Sequence, residues 1–368
     1  MKILHTEASC GWGGQEIRIL SEAQGMIERG HQVCLVCPPQ ARIYSEAARF
    51  GVPVEALPIG RKNWRGVAAL RAYLQGRQFD VINTHSSTDS WLVAVASRLL
   101  KRPPPLVRTR HISAPLSGNF GTRWLYARAT DSIATTGEAL REQLLAALPL
   151  DPQRIISVPT GVDTERFRPV LPAEKGELRR HLGLPVDGPL IGIVATLRSW
   201  KGHRFLIEAL TRNVPPAAHL LIVGDGPQSE ALAAQVKELG LGERVHLVGN
   251  HPDVVPWLQA LDVFVLPSYA NEGIPQALMQ AMSCGLPCIT TAVGAIPEIA
   301  RDGETALVVT PQDAGAIAAA LNRLLADAAL RDHLGQAARQ HIVTAHGRAL
   351  MLDRMAALFA QAAARHAG

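Results

Sequence analysis

Two cations, Arg198 and Lys201, stand three residues apart in LRSWKGH, which follows the apolar run LIGIVATL. A buried strand ending there sets both at its carboxyl end, where open α/β sheets bind ligands. Arg supplies a planar fork and Lys a point charge, a combination suited to a diphosphate. A solvated helix start explains the two residues equally well when they are taken alone. Farther along, DVFVLPS runs into YANEGIPQALMQAMSCG. Glu272 lies there in a loop, Gly273 frees the backbone, and Pro275 suits the first turn of a helix. The amides around Ile274, Gln276 and Ala277 then form a helix N-terminus, where an anion gains free N–H donors and the helix dipole together. Gln280 follows Glu272 by about two helical turns, so both side chains can face one ligand.

Two glycine loops accompany these residues. GDGP carries Gly224 and Gly226 after the run HLLIV, and SCGWGGQE carries Gly11, Gly13 and Gly14 after the first apolar run. Both permit close approach of backbone to a ligand, and the second opens a helix. It is not GxGxxG, and no acidic residue stands suitably about twenty positions on, which argues against a dinucleotide site. A tight strand-to-helix turn accounts for it on local grounds. Five cysteines are an odd number and argue against a disulfide framework. Cys34 and Cys37 form a CxxC inside HQVCLVC, but residues three apart in a strand point to opposite faces, so they read as strand filling. Cys284 and Cys288 lack His or acidic partners at metal-ligand spacing, and no DxD pair is placed to hold a metal.

Elements that could position these side chains alternate along the chain. KILHT, HQVCLVC, VEAL, DVINTH, LVRTRH, DSIATT and RIISVP read as buried strands, separated by amphipathic helices such as Gln15 to Arg29, which stops at Gly30. A Pro-rich polar stretch over 159–172 then reads as a linker. A second series follows: LIGIVATL, HLLIVGDG, RVHLVGN, DVFVLPS, PCITTA and ALVV, and the tail from Asp313 is helical. Short apolar strands alternating with helices predict parallel sheets covered on both faces. The expected architecture is therefore α/β, with two doubly wound, Rossmann-like domains over 1–165 and 172–346 and a cleft between them. A last helix over 347–368 is expected to pack back on the first domain.

The chain of 368 residues is 47% hydrophobic and 19% charged, a folded rather than disordered composition. No apolar run reaches membrane-spanning length, and MKILHTEAS lacks the apolar core of a signal peptide, so a cytoplasmic protein is expected. The net charge of +5 is uneven: the first 168 residues hold 21 Lys and Arg against 14 Asp and Glu. A basic first half suits anionic partners, whether phosphates or an anionic membrane face. Nothing resembles a nucleic-acid-binding module, and nucleic acid is set aside.

The segment EGIPQALMQAMSCGLPC resembles the signature of the retaining glycosyltransferase family 4, of the GT-B fold, whose pattern is Glu, seven residues, Glu. The GG turn, TRH at 109–111, GVD followed by RFRP, and LRSWKG agree with that family, in order and over essentially the whole chain. The resemblance implies that Arg198 and Lys201 hold the diphosphate of a nucleotide-sugar donor and that Glu272 meets hydroxyls of the transferred sugar. It further implies that His111, with His85, lines the sugar pocket, and that Gly13 and Gly14 close over phosphates or acceptor. Reaction would proceed with retention and without metal or other cofactor. The chain departs from the pattern at Gln280, where the family has its second Glu, a ribose ligand. A Gln carbonyl still accepts a hydrogen bond, at a loss of about 1 kcal/mol.

The acceptor is less determined. GRKNWRGVAALRAYLQGRQ, with Trp64 and four Arg, and RLLKRPPPLVR suit an anionic inner membrane carrying a lipid-linked or lipopolysaccharide-type glycan. An ordinary helix with a solvated basic face fits the same residues. Two other functions stay open: a nucleotide-sugar epimerase of the same fold, and a non-catalytic member disabled by Gln280.

Overall fold

The computed structural model describes residues 1–111, 116, 118–270 and 272–367. The chain divides into two compact units, Met1–Gly161 together with the segment from Ala349 on, and Val162–Arg348.

The first unit holds a seven-stranded parallel sheet: β1 (Lys2–Thr6), β2 (Gln32–Cys37), β3 (Val54–Ala56), β4 (Val81–Thr84), β5 (Leu106–Arg110), β6 (Ser132–Thr135) and β7 (Ile155–Ser157). Their spatial order is β3-β2-β1-β4-β5-β6-β7, so the winding reverses between β1 and β4. The strands are short and apolar because helices cover both faces. Cys37 lies in one apolar cluster and Cys34 packs on another, so the CxxC does straddle the sheet. The first helix, Gly14–Glu28, ends before Gly30, whose φ of 82° is left-handed. It buries Ile19, Leu20, Ala23 and Met26 against β1, β4 and β5 through Ile3, Val81 and Val107.

The C-terminal helix Arg348–Ala367 packs on the same core. Met351, Leu352, Met355, Leu358, Phe359 and Ala362 recur at three- and four-residue steps and are all buried there. The contact is close: a Cβ at Gly25 would sit 2.3 Å from Leu352 Cδ1.

The second unit holds a six-stranded parallel sheet: β8 (Leu190–Val194), β9 (His219–Val223), β10 (Val245–Gly249), β11 (Val263–Leu266), β12 (Cys288–Thr291) and β13 (Leu307–Val309). The order β10-β9-β8-β11-β12-β13 reverses between β8 and β11. The stretch expected as a linker belongs largely to this unit. Val162 N–H donates to His346 O, Arg348 N–H donates to Val162 O, and Phe167 is buried in the second core. Its Pro and polar residues read as a spacer because these partners lie over a hundred positions away. Among the described residues no helix is long and apolar enough to cross a membrane.

Candidate functional site

In the second unit, the carboxyl ends of β8 and β11 adjoin at the reversal point, and four loops meet there. The loop after β8 carries Arg198 just before a single 3₁₀ turn, Ser199–Lys201, and Lys201 as its last residue. GDGP after β9 is laced to it: Leu197 N–H donates to Asp225 O and Gln228 N–H to Leu197 O. Only glycine fits in that lacing. A Cβ at Gly224 would lie 1.9 Å from Ala195 O, and one at Gly226 would lie 2.8 Å from Leu197 O. Both glycines therefore serve the fold of the Arg198 loop by close backbone approach.

Lys201 reaches the loop after β11. Its Nζ donates to Glu272 Oε1 at 2.6 Å, and Ser268 Oγ donates to the same oxygen at 2.6 Å. Glu272 is only 5% exposed, so its charge is held by these two partners. The loop after β12 fixes its backbone, with Ala295 N–H donating to Glu272 O at 3.3 Å. Gly294, at φ 61°, would place a Cβ 2.0 Å from that same carbonyl. Arg198 stays exposed beside Trp200, its guanidinium 5.8 Å from the ring centre. The helix Gln276–Ser283 starts here with Pro275 at the preceding cap position, one residue earlier than the expected first turn. Gln276 and Gln280, both half-buried, share one face of it by four-residue spacing, and Gly273 and Ile274 lead into it. The unit thus collects an exposed guanidinium, a Lys–Glu pair and a helix N-terminus at one sheet end.

A cavity of about 630 Å³ opens at the other end, by Pro189, Asp262 and Pro287 before β8, β11 and β12. Its Lys175 and Arg179 are already engaged with Asp262 and with main-chain carbonyls, so it reads as structural.

In the first unit, three imidazoles step across neighbouring strands. His5 is in β1, His85 follows β4 and His111 follows β5. The register sets His5 level with Asn83 and Thr84 level with Arg108, so each ring sits two residues beyond the last, on one face. His5 Nδ1 lies 2.9 Å from His85 Nε2, and His85 Nδ1 lies 2.9 Å from His111 Nε2. Asp89 accepts from His85 N–H and from Thr6 Oγ, which holds His85 in place. Burial, joined by the neighbouring His111, His5 and Arg18 charges, keeps His85 well below the ordinary imidazole range. Burial, with Arg18 and Arg108, does the same for His111.

The turn with Gly13 and Gly14 lies beside buried carboxyls. Glu7 accepts from Ser9 N–H at 2.6 Å and from Gln15 Nε2 at 2.5 Å. Burial, then Asp89 and Glu16 nearby, pushes Glu7 up to about 8. Gly13 has extended backbone that any residue adopts, and a Cβ there would meet nothing closer than 3.8 Å. Unlike Gly224 and Gly226, it is not demanded by the fold of the turn. His5, Glu7, Asp89, Ser268 and Gly294 were not singled out in the sequence. A polar residue near a strand end was the available signal for His5, and Gly294 stands six positions beyond the segment EGIPQALMQAMSCGLPC.

Residues 12–166 match the family described as Glycosyltransferase Family 4, and residues 174–341 match Glycosyl transferases group 1. A D-inositol 3-phosphate glycosyltransferase of Xylanimonas cellulosilytica is 31% identical, over 89% of this chain and 87% of that protein. The chain belongs to the group 1 glycosyltransferases. A second relative of this glycosyltransferase is the Escherichia coli UDP-Gal:alpha-D-GlcNAc-diphosphoundecaprenol alpha-1,3-galactosyltransferase, 30% identical over 80% of each chain. Among solved structures, Anabaena HepE in complex with UDP has a TM-score of 0.85 at 21% identity, covering 98% of this chain and 100% of that one. WaaG, a glycosyltransferase involved in lipopolysaccharide biosynthesis, has a TM-score of 0.71 at 19% identity, over 96% and 98% of the chains. At those identities the likeness is one of fold, and the glycosyltransferase has the GT-B fold of two Rossmann-like units.

Proposed function

We propose that this glycosyltransferase moves a sugar from a nucleotide diphosphate sugar, with retention and without metal, onto a saccharide acceptor borne on a lipid or cell-surface glycan. The observation that carries the donor assignment is the exposed Arg198 beside the Lys201–Glu272 pair at the reversal of the second sheet. A leaving nucleotide diphosphate gathers negative charge, and a preoriented guanidinium, ammonium and helix N-terminus stabilise it where it develops. Glu272 then has two duties, holding Lys201 and accepting hydrogen bonds from hydroxyls of the sugar. Ile274 and Gly273 offer main-chain N–H groups ahead of Gln276, and Gln280 meets the ribose.

UDP is the favoured nucleotide and GDP the second choice. The E. coli relative takes its name from UDP-galactose, and HepE has been solved with UDP and with UDP-glucose. In the first unit, His111 serves the sugar. The Gly13–Gly14 turn, flanked by Glu7 and Glu16, suits a hydroxylated acceptor, because carboxyl groups there can hydrogen-bond hydroxyls. A lipid-borne acceptor fits the exposed Trp64 and Phe120, 72% and 84% accessible, the first adjoining Arg61, Lys62 and Arg65 in sequence and the second Arg123. Binding to anionic vesicles that disappears in high salt would accord with peripheral attachment; no binding at low salt removes it.

The test of function is to incubate the protein with UDP- and GDP-sugars and a diphosphopolyprenol-linked saccharide, and follow the anomeric proton by NMR. An axially linked product from an axial donor is expected. An inverted product overturns retention, and donor isomerised in the absence of acceptor makes the protein an epimerase.

A further inference from the structure

The three-imidazole chain contains more than the placement of His111. Both links are 2.9 Å, and each joins a δ nitrogen to an ε nitrogen of the next ring. A neutral imidazole carries one N–H, donor on one nitrogen and acceptor on the other. Two linked rings therefore cannot choose their tautomers separately: all three are Nδ1–H, or all three are Nε2–H. In the first arrangement His5 donates to His85, His85 donates to His111, and His111 is left with its own Nδ1–H. In the second every bond reverses, and His111 Nδ1 becomes a bare acceptor.

The inner end decides between them. Among the described residues His5 Nε2 is fully buried and has no hydrogen-bond partner; besides His85, the ring packed against His5 is Phe359, steeply inclined to it with centroids 6.3 Å apart. The reversed arrangement would bury an N–H donor there with nothing to receive it. Orphaned buried N–H groups are rarer than under-satisfied acceptors, so the inner nitrogen is the bare one. Protonation of the chain is opposed from every side. Arg18 of the first helix and Arg108 of β5 add positive charge, and burial alone lowers His5 to about 4. Glu22 faces the same polar layer but engages Arg18 and Asn83, and Asp89 engages the His85 main chain.

We propose that His5 and His85 are positioning residues that fix His111 as its Nδ1–H tautomer, so that His111 offers a ligand a hydrogen-bond donor and does not serve as a base. This rests on the reading that His111 meets the transferred sugar. A donor there binds a sugar oxygen, and an imidazole already carrying that proton cannot take the acceptor's. The acceptor proton must then leave by another group, in keeping with a reaction in which the donor's own phosphate oxygen receives it.

The tautomers are read directly by long-range ¹H–¹⁵N NMR of histidine-labelled protein at pH 7, with assignment by single substitution. Three neutral rings protonated at Nδ1 are expected. An Nε2–H ring or an imidazolium at His111 overturns the proposal. His85→Leu removes the link, and is expected to scatter the His111 tautomer and lower kcat about tenfold, the worth of one hydrogen bond. Its affinity for nucleotide diphosphate should be unchanged. His85→Asn places an amide N–H where Nδ1–H stood, and should restore a single His111 tautomer with most of kcat. A His85→Leu protein in which the His111 signature is unaltered also contradicts the account. Should no sugar transfer occur with any donor, the proposed function fails, while the spectra of the wild-type protein still decide the tautomer.

Discussion

Lys201 and Glu272 are 71 positions apart in sequence and 2.6 Å apart in space. The sequence marked both as ligand-facing but not as partners, because no periodicity links a turn after β8 to a loop after β11. Their pairing predicts coupled effects. Lys201→Ala removes a cation from the proposed phosphate site and leaves Glu272 buried with Ser268 alone, so kcat/KM is expected to fall by about 10²–10³ and the melting temperature to drop as well. Lys201→Ala with full affinity for nucleotide would show that the lysine serves only the fold. Gln280 makes the opposite prediction. Restoring a carboxylate with Gln280→Glu should tighten nucleotide binding by about 1 kcal/mol in calorimetry, through a charge-assisted bond. No change would mean that this side chain does not meet the ribose.

The strands and their order of appearance were legible because short apolar runs bounded by Gly, Pro and polar residues carry their own punctuation. Loop geometry was not. GDGP read as a turn permitting close approach of backbone to a ligand, yet the close approach it makes is to its own fold: Gly224 at φ 146° stands where a Cβ would be 1.9 Å from Ala195 O. Gly224→Ala is therefore expected to push the GDGP and Arg198 loops apart. Steady-state kinetics should show a raised KM for the donor, while circular dichroism stays that of a folded α/β protein. An unchanged KM would detach GDGP from the donor site. His5 was missed for a related reason. In KILHT it reads as one of two polar residues near a strand end, and only the register of β1, β4 and β5 brings it to His85.

For the molecule as a whole, the C-terminal helix is part of the first unit's core. Met351, Leu352, Met355, Leu358 and Phe359 each contribute about 1.5–3 kcal/mol by burial, together comparable with the whole stability of a domain. A chain ending at residue 347 should accordingly be insoluble or unfolded in its first unit, and a cooperative, wild-type melt from it would contradict the packing. Stability should also depend on pH. Burial raises Glu7 to about 8 and Glu22 to about 7, so from about pH 4.5 upward the folded state holds protons that the unfolded chain has released. Both groups then remove stability as pH rises. His5, lowered to about 4, acts oppositely between there and 6.5, since the unfolded chain binds its proton more readily. Above 6.5 only the carboxyls remain, and urea midpoints should decline from pH 6.5 to 8, less steeply in Glu7→Gln. A flat wild-type profile would show that these carboxyls are solvated. The central claim, a nucleotide diphosphate held by Arg198, Lys201 and the start of the Gln276–Ser283 helix, is tested most directly by calorimetric titration of UDP, GDP and ADP without metal. Saturable binding of one nucleotide, lost in Arg198→Ala and Lys201→Ala, is predicted; binding of none, or binding that survives both substitutions, would contradict it.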